Sequence, residues 1–194
     1  MLKKIKQILN KIWFHKVGVL SMSDIWTDEG KKLVGLIPEN YIVYAELVGW
    51  TPTGAAIQEG YTYGIEQGKC ELYVYRVVVI NHQGLPQDLC WDHMIEFCKS
   101  VGLKTVCEVW RGKLKDFKVE DWLDKRYFES GYRNCLWLGE NKDIVDEGVV
   151  VRVDTRTPYC LKAKSPIFLR HESDILDKGV EDLESSQDII DSDK

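Results

Sequence analysis

Apolar residues recur along this chain with two periods, and the change of period marks out its elements. Residues 1–13 place Leu2, Ile5, Ile8, Leu9 and Ile12 at helical spacing, which predicts an amphipathic first helix. Residues 17–20 and 41–48 are rich in branched and aromatic side chains and read as strands. Between them residues 24–32 are polar, and residues 36–40 form a turn into the second run. Residues 49–54 (GWTPTG) read as a loop, and residues 72–80 (LYVYRVVVI) as a strand buried on both faces, with a turn at residues 81–84 behind it. From residue 88 to 101 the stripe Trp91, Met94, Ile95, Cys98 and Val101 predicts a helix that stops at Gly102. Residues 104–110 return to strand character, and residues 119–127 read as a short helix with Trp122 and Leu123 inward. Residues 148–153 give another strand, residues 161–169 a last one broken by Pro166, and a helix is expected from about Glu172 into a disordered end. Strands and helices do not alternate regularly. The expected class is therefore α+β with mostly antiparallel sheets and flanking helices, one domain over residues 1–170 and an acidic tail over residues 171–194.

Charge sharpens that division. The 194 residues carry a net charge of −5, yet residues 171–194 hold nine Asp or Glu against two Lys, so the body is mildly basic. Such a body permits a polyanionic partner without requiring one, since a solvated surface explains it equally well. No stretch approaches the roughly 18 apolar residues of a membrane span. Lys6, Gln7, Asn10 and Lys11 interrupt what would be the apolar core of a signal peptide, so no membrane association and a cytoplasmic location are expected. The six cysteines include no C-x-x-C pair and the four histidines are scattered, so a zinc site has little support. A metal, if used, should be a hard cation on oxygen ligands.

Four segments succeed one another in a recognisable order: Tyr44-Ala45-Glu46-Leu47-Val48-Gly49-Trp50, Leu72-Tyr73-Val74-Tyr75-Arg76-Val77, Glu147-Gly148-Val149-Val150-Val151-Arg152, and Leu161-Lys162-Ala163-Lys164-Ser165. Each pattern is weak alone, but the ordered set resembles motifs III, IIIa, IV and V of the covalent nucleotidyltransferase superfamily of RNA ligases, DNA ligases and capping enzymes. The ELVGW and KAKSPIF forms look most like the ATP-dependent RNA ligase branch, and the similarity covers roughly residues 10–175. The resemblance implies an adenylation domain that uses ATP with Mg²⁺ or Mn²⁺ and acts on RNA ends through ligase–AMP and RNA-adenylate intermediates.

Elementary chemistry gives each motif residue a role that agrees with the resemblance and an ordinary alternative. Lys162 and Lys164 lie two apart on a strand and project to one face, where two ammonium groups suit an α-phosphate and its leaving group; ordinary lysines on an exposed strand are the alternative. Glu147 stands at the mouth of a valine-rich strand. The family places metal support here, against a plain solvated turn acid, and Asp146 is the second choice if the register slips. Glu46 is flanked by apolar residues, so a buried carboxylate in need of a partner is expected: ribose hydroxyls by the resemblance, a structural salt bridge otherwise. Tyr73 and Tyr75 share a strand face with Arg76 pointing the other way. Tyr75 is favoured to stack on adenine, a contact of roughly 1–3 kcal/mol, and Tyr73 is expected to be a core aromatic. Many relatives carry an acid where Arg76 stands.

One part of the pattern is missing. The superfamily's nucleophile is the lysine of Lys-x-Asp-Gly, and none of the chain's lysines is followed by x-Asp-Gly or x-Glu-Gly. An amputated N-terminus is expected, with a separate chain supplying that segment and the isolated chain inactive. A phage or bacterial host is favoured, because compact genomes tolerate split enzymes. Other readings are a catalytically dead ligase-like module that binds nucleotide or RNA, an enzyme for DNA ends or caps, and a remnant of a broken gene.

Overall fold

The computed structural model describes residues 25–58, 61, 63–123, 147–155 and 157–177. The expected first helix, the strand at residues 17–20, the continuation of the short helix past Leu123, Asp146 and the end of the tail lie outside the described residues. The chain divides into two compact units, residues 1–37 and 38–194. In the first, Ile25–Lys32 forms helix α1, where the sequence pattern predicts only a polar stretch. Its helical period brings Lys31 to 3.1 Å from Asp28 and pairs Lys32 with Glu29, and both lysines sit at the end of the helix that favours cations.

In the second unit, β1 (Tyr41–Gly49) and β2 (Cys70–Ile80) pair antiparallel from Tyr41 opposite Val79 to Gly49 opposite Cys70. A turn built on Asn81, whose side-chain oxygen accepts from the N–H groups of Gln83 and Leu85, returns the chain as β3 (Pro86–Asp88) along Val78–Ile80. Helix α2 (Trp91–Ser100) buries Met94 and Cys98 completely and stacks Phe97 on Tyr41 at 4.5 Å. With Val43, Leu47, Val74 and Val77 these residues form the core, each large side chain contributing about 1.5–3 kcal/mol by leaving water. The expected strand over residues 104–110 shrinks to β4 (Lys104–Thr105), parallel to Tyr73–Val74, and beyond it come two single 3-10 turns, Leu114–Asp116 and Val119–Trp122. β5 (Gly148–Val153) and β6 (Tyr159–Lys164) form a separate antiparallel hairpin. The fold is α+β with open, predominantly antiparallel sheets. No helix among the described residues is long and apolar enough to cross a membrane.

Pro166 does something different from interrupting a strand. β6 ends at Lys164 and helix α3 runs Pro166–Asp177, starting before the expected position near Glu172. Proline is well tolerated in the first turn of a helix, where its missing N–H would have no partner anyway, and its fixed φ suits the helix. The fully buried Ser165 marks the junction, and its carbonyl accepts the first helical bond, from Leu169 N–H at 3.0 Å. β2 also departs from the pattern. Val77 and Val78 are both buried, but Tyr75 is 40% exposed, so the strand is covered on both faces over only part of its length.

Candidate functional site

The β1–β2 ladder contains one irregularity, and the candidate residues lie beside it. Tyr44 pairs with Arg76 and Ala45 with Val74, so Tyr75 has no partner and forms a β-bulge. Val74 and Val77 consequently both face the core although they are three residues apart, and both are 0% exposed. Tyr75 and Arg76 share the other side with Tyr44. The Tyr75 and Tyr44 rings are 6.4 Å apart, and the Arg76 guanidinium lies 4.8 Å over Tyr44 while it forks onto Asp88 at 2.5 and 3.0 Å. Strict alternation therefore misplaces Arg76, which sides with the tyrosine it is predicted to oppose. Tyr73 is not a core aromatic. It is half-buried, its hydroxyl donates to Glu71 at 2.5 Å, and Lys104 reaches the same carboxylate at 2.6 Å.

Glu46 stands on the face of β1 opposite the buried Val43 and Leu47, and it is exposed rather than enclosed among its apolar neighbours. Period-two alternation explains the difference. Its carboxyl is nevertheless crowded by protein, and that desolvation raises its pKa above the ordinary carboxylate value; Glu147 raises it further and Lys162 opposes both. Tyr75 responds to the same neighbourhood, its phenol being raised first by desolvation and then by the charge on Glu46.

Glu147 is fixed from two sides. Its carbonyl accepts from Ser165 N–H at 2.8 Å, and Gly148 pairs with Lys164 across the ladder. Gly148 has φ +131°, and a Cβ there would lie 2.0 Å from the Ala163 carbonyl oxygen, so only glycine fits this crossing. The Glu147 side chain accepts from Gln58 Nε2 at 3.0 Å on one oxygen, and its other oxygen lies 3.6 Å from Lys162 Nζ. Gln58 carries no signal in the sequence, since an isolated amide in a loop belongs to no motif. Lys164 comes next on the same face of β6 with its ammonium 5.4 Å from the ring of the buried Phe168. Glu46, Glu147, Lys162 and Tyr75 thus occupy one neighbourhood, and the β6 strand carries Lys164 beside it.

Raised protonation of Glu46 has a definite sign for stability. Between the ordinary carboxylate range and the raised value the folded chain holds more protons than the unfolded one, so stability falls as pH rises through that window. Glu46→Gln is expected to melt higher than the parent near pH ~7, with the difference closing toward pH ~4. Melting curves across that range check this, and a gap that is constant with pH contradicts it.

The chemistry of the cluster suits an anionic ligand with a hard cation. The Glu147 carboxylate can contribute to holding a Mg²⁺-sized ion whose remaining ligands are phosphate oxygens and water. Among the described residues no group of three or more His, Cys, Asp or Glu forms a self-sufficient metal cage. Comparison with curated proteins finds no match. The family model described as RNA ligase matches residues 8–168, a span that includes Glu46, Gln58, Tyr75, Glu147, Lys162 and Lys164. With most of its length inside that match, the chain belongs to the RNA ligase family.

Proposed function

We propose that this chain is the nucleotide-holding component of an ATP-dependent RNA ligase and seals RNA ends once an adenylatable lysine is supplied to it. The observation that carries the reading is the convergence of Glu46, Glu147 and Lys162, with Tyr75 close enough to Glu46 to respond to its charge. In this reading Lys162 and Lys164 hold the α-phosphate and stabilise the charge that gathers on it in the transition state. Tyr75 stacks on adenine and Glu46 accepts from ribose hydroxyls. Glu147 supports Mg²⁺ or Mn²⁺, which neutralises phosphate charge when bound.

None of the lysines in residues 1–194 stands in Lys-x-Asp-Gly, so in this reading the attacking amine is supplied from outside these residues, and a companion segment bearing that motif can provide it. That amine forms a P–N bond to AMP as pyrophosphate leaves. The 5′-phosphate of an RNA end then takes the AMP, releasing the amine, and a 3′-hydroxyl displaces AMP to form the phosphodiester. A second reading is a module that holds nucleotide or RNA without chemistry. Labelled ATP separates the two when offered to the chain alone and with a companion carrying Lys-x-Asp-Gly. AMP transfer to the companion supports the ligase, nucleotide binding without transfer supports the module, and no binding at all rejects both. Sealing of RNA nicks in preference to DNA nicks tests the substrate.

Gln58 has a role here as a positioning residue for Glu147. Gln58→Leu is expected to raise the Mg²⁺ concentration needed for AMP transfer by about 10–100-fold, as loss of an outer hydrogen bond to a metal-supporting carboxylate does. Titration of Mg²⁺ at saturating ATP measures it, and an unchanged midpoint contradicts the role.

A further inference from the structure

The β5–β6 hairpin bears Lys162 and Lys164, and Glu147 directly precedes it. Yet no backbone ladder among the described residues joins it to the sheet that holds Glu46 and Tyr75. Side-chain bonds fasten it at both ends. Near Glu147 the fastening is Gln58. At the other end of β5 it is an ion pair whose arginine is only 10% exposed. Arg152 donates from Nε to Asp154 at 2.7 Å and from Nη2 to the Leu89 carbonyl at 2.6 Å, and its guanidinium lies 5.9 Å from the Trp91 ring. The second Asp154 oxygen accepts from the Trp91 N–H at 2.7 Å. That N–H belongs to the first turn of α2, where donors lack partners within the helix, and Cys90 at the N-cap makes no side-chain bond to it. Leu89 in turn donates its N–H to the Val77 carbonyl at 2.9 Å. The clasp therefore ends on β2, two residues from Tyr75.

Its place on the hairpin connects it to the site. Lys162 pairs with Val150 and Cys160 with Arg152, so alternation puts these four side chains on one face. Arg152 stands two residues, about 7 Å, beyond the point opposite Lys162. Electrostatics shows what this face addresses. Lys162 acts on Glu46, whose pKa is raised first by desolvation, and Cys160 acts on Arg76, whose pKa is raised first by its bond to Asp88. A pivot of the hairpin about Glu147 would carry Lys162 away from Glu46, and a misplacement of about 1 Å at a reacting group can cost about 100-fold. Stability alone does not call for such a pair, since well-packed apolar residues often replace buried ions without loss. What its directional bonds add is a fixed distance.

We propose that Arg152 and Asp154 are positioning residues for the nucleotide site, clasping the far end of the hairpin to the β3–α2 connection so that Lys162 reaches the phosphates of a nucleotide seated on Glu46 and Tyr75. The inference rests on the RNA ligase reading and deepens it, because it names what holds the phosphate-binding strand against the nucleoside-binding one.

The test compares two ligands of the full chain, Mg–ATP and adenosine, titrated separately and followed by ligand-observed NMR, with a melting curve for each variant. Arg152→Met removes both bonds and leaves an unbranched stem on Trp91. It is expected to weaken Mg–ATP about tenfold or more and to leave adenosine within about twofold, since adenosine has no phosphate for Lys162 to hold. Asp154→Ala should behave likewise, and Asp154→Asn, which keeps an acceptor for the Trp91 N–H, should recover part of the loss. Parental Mg–ATP affinity in Arg152→Met and Asp154→Ala overturns the proposal. Equal losses for both ligands, in these variants and in Asp154→Asn, overturn it too, because they mark a general effect on the fold. Lys162→Ala separates this inference from the reading beneath it. Parental Mg–ATP affinity in Lys162→Ala, or a parent chain that binds neither ligand, rejects the ligase reading and the clasp's role with it. Loss of Mg–ATP in Lys162→Ala with no selective loss in the clasp variants rejects the clasp alone.

Discussion

Lys162→Ala is expected to lower AMP transfer by the complemented ligase by about 100–1,000-fold, the usual effect of removing one preorganised donor from a developing phosphate charge. The expectation rests on the surroundings of the ammonium. Its ion-pair partner is Glu147 at 3.6 Å, longer than a direct hydrogen bond, and its side chain is 53% exposed. A lysine that served only to hold the fold would be expected to sit closer to its carboxylate and deeper in the protein. Here the pairing is loose enough for phosphate oxygens to compete for the charge. Single-turnover transfer from labelled ATP, with melting curves showing that the variant folds, gives the measurement. Lys162→Arg should recover only part of the rate, since a planar fork does not replace a point charge. Parental transfer by Lys162→Ala would remove the phosphate role altogether.

Gly148→Ala should have the largest effect on stability. The added methyl would meet the Ala163 carbonyl oxygen at 2.0 Å and the Lys164 Cα at 3.0 Å, both of them backbone atoms that cannot swing aside. The left-handed φ of +131° adds strain of its own. Together these are expected to cost about 3 kcal/mol or more, which lowers the melting temperature by roughly 6–12 °C for a chain of this size. The damage should also reach the site, because Glu147 and Lys164 are aligned by this crossing. Nucleotide affinity below the new melting temperature is therefore expected to fall as well. A variant that melts like the parent would show that the hairpin can separate at Gly148 without cost.

The strands and the motif set are legible in the sequence because both depend on local chemistry. The valine-rich runs mark β2 and β5, and the stripe from Trp91 to Val101 marks α2 to within a few residues. Motif order singles out Lys162, Glu147 and Glu46, and the structure brings them together. The differences have identifiable physical causes. Pro166 looks like a strand breaker from its own chemistry, yet the same ring starts a helix when helix-forming residues stand after it, and the polar stretch over residues 25–32 has too little apolar period to reveal α1. Burial of Glu46 is suggested by its flanking residues only as long as their alternation is ignored. Gln58 is invisible, since its partner is 89 residues away and no local pattern encodes such a contact. Arg76 and Tyr73 are misplaced by an assumption of unbroken pairing that one unpaired residue removes.

That unpaired residue bears on how the site could change over time. If Tyr75 were excised, Val74 would still face Ala45 and Arg76 would still face Tyr44, so the rest of the ladder would keep its phase. The aromatic ring is therefore an insert in an otherwise regular strand. Its identity can be revised, and its presence gained or lost, without asking the hydrophobic interior to repack. Selection for a different contact could act on this one position while the scaffold stayed as it was.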